Sequence, residues 1–213
     1  MSASTPKSGL TYPSLADSPN VPASLQTLAT DLDGIVIPKY TSSIAQTAAN
    51  PSPATGDMCY RYDLDCYQQW DGTAWNNITL GAWQPYTPTW SGLSALGASV
   101  ARGLYAQVGK TCFVTADLEW GTGSTLGTGS INVSLPIQSA TVSGDMGWQG
   151  TGKFRDASAV WHPLLSDVGS AATFASVMAL SSSQSYVAVG SGSGYTWTSA
   201  TSYMRIQMTY QTV

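Results

Sequence analysis

The stretch GLYAQVGKTCFVTADLEW (Gly103–Trp120) decides the fold class. After the break at Gly109-Lys110, Cys112, Val114, Ala116, Leu118 and Trp120 fall on one side of the chain. Thr111, Phe113, Thr115, Asp117 and Glu119 fall on the other. Alternation with period two is the pattern of a strand with one buried face. Ahead of the break, Leu104, Tyr105 and Val108 supply strand formers for a partner, so the stretch reads as a hairpin.

The same reading extends to the rest of the C-terminal half. Ile131, Val133, Leu135 and Ile137 form one apolar face, and Met204, Ile206, Met208 and Tyr210 alternate with Arg205, Gln207 and Thr209. Lys153 to Trp161, Thr173 to Leu180 and Tyr186 to Val189 read as further strands. Gly/Ser-rich turns separate them, at Gly121 to Gly129, Ser143 to Asp145 and Ser191 to Gly194. Many short strands without a helical period predict an antiparallel β-sandwich of jelly-roll type over residues 80–213.

Ahead of it the chain changes character three times. Residues 1–20, with Pro6, Pro13 and Pro19, bury too little apolar surface to order alone and read as an extended arm. In residues 21–35, Val21, Leu25, Leu28, Leu32 and Ile35 are spaced 4, 3, 4 and 3, which is an a/d seam. Pro22 suits the first turn of that helix and Gly34 its end. So short a helix is marginal alone. Spacing leaves two readings open, an amphipathic helix lying on its own domain or a coiled coil joining copies. Residues 36–56 form a linker with one or two helical turns in its small-residue middle and a Pro-Gly end. Residues 57–79 predict a three-stranded β-module over Met58–Tyr62, Cys66–Trp70 and Ala74–Ile78, with Asp71-Gly72 as a tight turn.

Composition narrows the function. Charged residues are 9% of the 213, against about 25% in a typical soluble domain. Eight Trp and eleven Tyr stand against three Phe, so most aromatics carry a polar handle suited to interfaces. The net charge is −4 and the eight basic residues are scattered, which argues against nucleic acid as a partner. No apolar run approaches the roughly 18 residues of a membrane span. Nor does the N-terminal sequence read as a secretory signal. Three cysteines make no disulfide framework. Cys59 and Cys66 would face each other in one register of their hairpin, and a one-residue slip separates them.

Catalytic and metal-binding patterns are weak. His162 is the one histidine, and no nucleophile elbow accompanies it. Asp117 and Glu119 share a strand face, roughly 6–7 Å apart by strand geometry. That is compatible with a carboxylate pair, but a solvated acidic face is the simpler reading. No zinc or calcium ligand pattern is present, and GTGSTLGTG (Gly121–Gly129) lacks the Lys-Ser/Thr ending of a phosphate loop. The expectation is a non-enzyme with no cofactor and no metal. The candidate binding residues are aromatics in or beside Gly/Ser loops: Trp148, Trp161, Tyr195 and Trp197.

A resemblance accompanies these readings. YTPTW (Tyr86–Trp90), then GLYAQVGKT (Gly103–Thr111), then SLP (Ser134–Pro136) appear in an order similar to the C-terminal domain of minor tail and tail-fibre proteins of bacteriophages infecting actinobacteria. That likeness covers roughly residues 83–213. Gly56-Asp57-x-x-Tyr60 followed by Trp70-Asp71-Gly72-Thr73-Ala74-Trp75 is similar to a small module of phage tail and fibre proteins, in which an Asp-Gly turn carries an aromatic on each side. The resemblance implies a virion component at the tail tip, made in the host cytoplasm and acting outside the cell. It implies a homotrimer joined by a coiled coil through Val21, Leu25, Leu28, Leu32 and Ile35, and contact with other tail proteins through the N-terminal arm. It also implies attachment to a host-surface glycan or protein through the sandwich loops. The alternatives are a purely structural tail-tip or baseplate subunit and a carbohydrate-binding module.

Overall fold

The computed structural model describes residues 3–4, 11–12, 21–33, 36–127, 130–144, 146–180, 186–188 and 202–213. Ile35, Tyr195, Trp197, the turn at Ser191 to Gly194 and most of the 1–20 arm lie outside the described residues.

The chain begins with β1 (Ala3–Ser4) and β2 (Thr11–Tyr12), which pair antiparallel, followed by helix α1 (Val21–Asp33). A small mixed sheet comes next: β3 (Lys39–Tyr40), helix α2 (Ser43–Ala49), β4 (Met58–Arg61), β5 (Cys66–Trp70) and β6 (Trp75–Asn77). Its three expected strands pair in sequence order, and β3 adds a fourth, parallel to β4. The Ser42 side chain accepts the Ala45 N–H at 3.2 Å and so caps α2. In this hairpin Cys59 faces Gln68 and Cys66 faces Arg61, and both thiols are free.

The remaining strands are β7 (Gln84–Tyr86), β8 (Trp90–Ser91), β9 (Leu93–Ala95), β10 (Val100–Val108), β11 (Thr111–Glu119) and β12 (Thr125–Leu126). They continue as β13 (Asn132–Ser134), β14 (Trp148–Arg155), β15 (Trp161–Val168), β16 (Phe174–Leu180), β17 (Tyr186–Ala188) and β18 (Tyr203–Gln211). Short β9 and β12 pair with each other. The rest form one antiparallel sheet in the order β7-β10-β11-β18-β14-β15-β16-β13-β8, with β17 on β16.

This sheet must curl. Laid flat, the first and last of its nine path strands would stand roughly 38 Å apart at strand spacing. Yet β7 ends at Tyr86 and β8 starts at Trp90, and four Cα steps reach at most about 14 Å. The edges therefore approach each other. At the junction the Thr89 N–H donates to Ser134 Oγ at 2.8 Å, and the Ser134 N–H donates to Thr89 O at 2.9 Å. The mainly-β fold expected from the alternation is the one adopted, and the facing layers belong to a single sheet.

The alternating residues do what their period dictates. Cys112, Val114, Ala116 and Leu118 of β11 are buried, as are Met204, Ile206, Met208 and Tyr210 of β18. Phe154, Leu164, Val168, Val177 and Val133 complete the interior with Trp90, Trp120 and Ile131. Gly109, at a φ of +53°, makes the β10–β11 turn, a conformation that costs other residues.

The expectation of one strand over Lys153–Trp161 is corrected. The segment divides between β14 and β15 at a turn, where Asp156 Oδ1 accepts the Val160 N–H at 2.9 Å and Ala159 takes a φ of +63°. A short polar side chain bonding back to the backbone offers an alternative to the ladder. β15 also carries Pro163 in the sheet interior. Pairing with β16 begins only at Leu164, so Pro163 sits where that ladder asks for no N–H.

Candidate functional site

Among the described residues, the helix α1 has an apolar seam that stays largely exposed. Val21 is 65% exposed, Leu25 60% and Leu32 39%, while Leu28 is half-buried. Val36 and Ile37, just beyond the helix, are exposed as well. Among the described elements, the main neighbour of α1 is the two-residue strand β2. A helix of 13 residues gains little stability alone, and its side chains at 3–4 spacing offer a continuous apolar stripe to a second helix.

The small mixed sheet has two unlike faces. Toward α2 it buries a polar network. Arg61 grips Asp63 with two hydrogen bonds, Nε to Oδ1 at 2.9 Å and Nη2 to Oδ2 at 2.8 Å. Arg61 Nη1 donates to Gln46 Oε1 at 2.7 Å, and Gln46 Nε2 donates to Gln68 Oε1 at 3.2 Å and to Cys59 Sγ at 2.9 Å. Gln68 Nε2 reaches Asn77 Oδ1 at 2.8 Å, and Asn77 Nδ2 donates to Gln107 O at 3.3 Å. The Gly109 N–H donates to Asn77 O at 2.5 Å. The network thus runs from α2 through β4, β5 and β6 to the β10–β11 hairpin. Nothing in the spacing of Gln46, Arg61 and Gln68 announces it, because it depends on strand register.

The opposite face is aromatic. Tyr60 meets Tyr62 and Tyr67 edge-on, at centroid distances of 5.2 and 5.1 Å, and both partners are exposed. The Tyr60 hydroxyl donates to Asp65, which pushes its pKa up to about 12. At the Asp-Gly turn, Trp70 and Trp75 pair in register with centroids 5.7 Å apart. The Asp71 carboxylate organises the turn by accepting the N–H groups of Thr73 and Ala74, the Thr73 hydroxyl and Asn76 Nδ2. These bonds, led by that from Ala74, hold its pKa well below the usual carboxylate range.

On the curled sheet, two of the four candidate aromatics are described. Trp161 opens β15 and is exposed; Lys153 Nζ lies 4.4 Å from its ring centroid, and Tyr203 meets it edge-on at 4.7 Å. Trp148 opens β14, is half-buried and packs partly against the core. The structure does not bring the two into one site. His162 stacks on Phe154 at 4.7 Å, and its Nε2 meets Asp156 Oδ2 at 2.9 Å. Asp117 is held by Arg205 through bonds of 2.7 and 2.8 Å, and Glu119 by Arg102 at 3.0 Å. Each carboxylate of that pair is neutralised by its own arginine on a neighbouring strand. Among the described residues no group of three or more His, Cys, Asp or Glu side chains is placed to hold a metal ion, and no helix is long and apolar enough to cross a membrane.

Residues 15–94 match the family model of the phage tail like trimerisation region. The match takes in α1, α2, the small mixed sheet and the first strands of the curled sheet. No characterised protein and no solved structure matches the chain significantly.

Proposed function

We propose that this chain is a homotrimeric structural protein of a phage tail, and that the trimer attaches the virion to the host cell surface. The observation that carries the trimer is the exposed apolar seam of α1 within the matched trimerisation region. Three copies of Val21, Leu25, Leu28, Leu32 and Ile35 form a short parallel coil and remove that seam from water. The aromatic face of Tyr60, Tyr62 and Tyr67 lies in the same region and extends the contact between copies.

The division of labour follows the chain. The arm of residues 1–20 joins other tail proteins, residues 21–79 assemble the trimer, and the sheet of residues 80–213 faces the host. Low charge and aromatics with polar handles suit contact with an envelope glycan. Three modest sites on one stalk bind by avidity, without a covalent step. We assign that contact to the aromatics Trp148, Trp161, Tyr195 and Trp197, of which Trp148 and Trp161 stand at opposite ends of the β14–β15 ladder.

Light scattering tests the trimer on the full chain and on a Leu25→Glu/Leu28→Glu variant. The expected mass is that of three chains for the first and one for the second, with an unchanged β-sheet circular dichroism spectrum. A wild-type mass of one chain at high concentration sinks the trimer. Attachment is tested separately, by competition of the purified protein with phage for host cells. Unimpaired phage adsorption at saturating protein reduces the role to a structural one.

A further inference from the structure

The outer face of the curled sheet carries a depression of about 350 Å³ across β11, β18 and β14. Strand register sets Thr115, Gln207 and Thr151 in one row across its floor. Phe113 and Gln149 lie beside that row, and Trp83, from the segment before β7, forms a wall. Trp83 is 46% exposed. Among the described residues, none of the Thr115, Gln149, Thr151 and Gln207 side chains has a hydrogen-bond partner within the protein, and the Trp83 ring has no aromatic partner. The lining carries no charge. Two residues further along the strands, Asp117 and Arg205 cancel each other, and Lys153 lies over Trp161.

We propose that this depression binds a neutral saccharide, with the carboxamides and hydroxyls of Gln149, Gln207, Thr115 and Thr151 meeting the sugar hydroxyls and Trp83 stacking on a ring face. The assignment follows from the lining. Each carboxamide and hydroxyl offers both a donor and an acceptor, which matches a polyol. An ionic ligand would lose its hydration here and find no counter-charge. An apolar ligand would strand the free polar groups. The site rests on the reading of the protein as a host-attachment component. It adds a contact on the sheet face to the aromatics proposed above.

Affinity electrophoresis of the full chain tests it, in gels carrying a mannan, a β-glucan, a galactan or the anionic polygalacturonate. At least one neutral polysaccharide retards the wild type, and Trp83→Ala and Gln207→Ala each weaken that retardation about tenfold. All variants keep the wild-type mass. The inference is overturned by equal retardation of wild type, Trp83→Ala and Gln207→Ala, by retardation in polygalacturonate alone, or by none in any gel. A reduced mass for Trp83→Ala also overturns it, and makes the depression a contact between copies. Failure of the attachment reading looks different: phage adsorption is unimpaired while saccharide binding at Trp83 and Gln207 persists.

Discussion

The ring of Tyr86 lies against the α-carbon of Gly103, its register partner across β7 and β10: a β-carbon at 103 would stand 2.3 Å from the ring. The ring also meets Tyr105 edge-on at 6.0 Å. Thr89, four residues before β9 and three after Tyr86, bonds Ser134 across the opposite edge of the sheet. The three short motifs quoted above are thus parts of one closure. Gly103→Ala forces the ring outward or the strands apart, and is expected to cost about 1–3 kcal/mol. Urea unfolding measures the loss, which should shrink in a Tyr86→Leu background. Equal loss in both backgrounds would separate Gly103 from the ring.

The Tyr86 hydroxyl is buried, and among the described residues it has no hydrogen-bond partner. Burial pushes its pKa up, the direction expected of a hydroxyl whose charged form has no support. Tyr86→Phe should leave stability unchanged or raise it by up to about 1 kcal/mol. A clear loss in urea unfolding would reveal a partner for that hydroxyl.

Gln46 is the hinge of the polar network, since it holds Arg61, Gln68 and Cys59 together. Gln46→Leu leaves the buried Arg61 Nη1 and Gln68 Oε1 short of partners, at an expected cost of about 1–3 kcal/mol. Hydrogen exchange should show the loss spreading to the Gly109 amide, which is bonded to Asn77. Exchange unchanged at that amide would show that the network stops at β6.

Burial pushes the thiols of Cys59, Cys66 and Cys112 upward. Both access and thiolate fraction are therefore low in the native state. At pH near 8 (about half a unit below a free thiol) a colourimetric thiol reagent should find none of them within minutes. In denaturing guanidinium it should find all three. Rapid labelling of the native protein would contradict the buried positions.

Asp63, Asp71 and Asp156 all have pKa values below the ordinary 3.8, held there by Arg61, by the Ala74 N–H and by His162 respectively. A depressed folded pKa adds stability that is complete above the unfolded value and lost as pH falls toward the folded one. Thermal midpoints should be level from neutral pH down to about 5 and fall below about pH 4. Asp71→Asn should flatten part of that fall. An acid profile identical to wild type would show that the turn bonds do not survive in solution.

Much of the fold is written in local pattern. Period two in Thr111–Glu119 and Tyr203–Gln211 determines which side chains turn inward, and the buried and exposed positions of β11 and β18 follow it residue by residue. The spacing of Val21, Leu25, Leu28 and Leu32 likewise announces α1, because helical periodicity is a property of the chain alone. Asp71-Gly72 announces its turn for the same reason. Lys153–Trp161 shows the limit of local reading: composition alone did not reveal that Asp156 would bond back to Val160 and split the segment.

Neighbours are another matter. Period two says which way a side chain points and nothing about which strand lies beside it. Only the tertiary structure sets β18 between β11 and β14. That pairing puts Arg205 on Asp117 and aligns Thr115, Gln207 and Thr151 in one row. The partners lie far apart in sequence, so their meeting is settled by the shared core and by the curl that brings Tyr86 and Trp90 to opposite edges of one sheet.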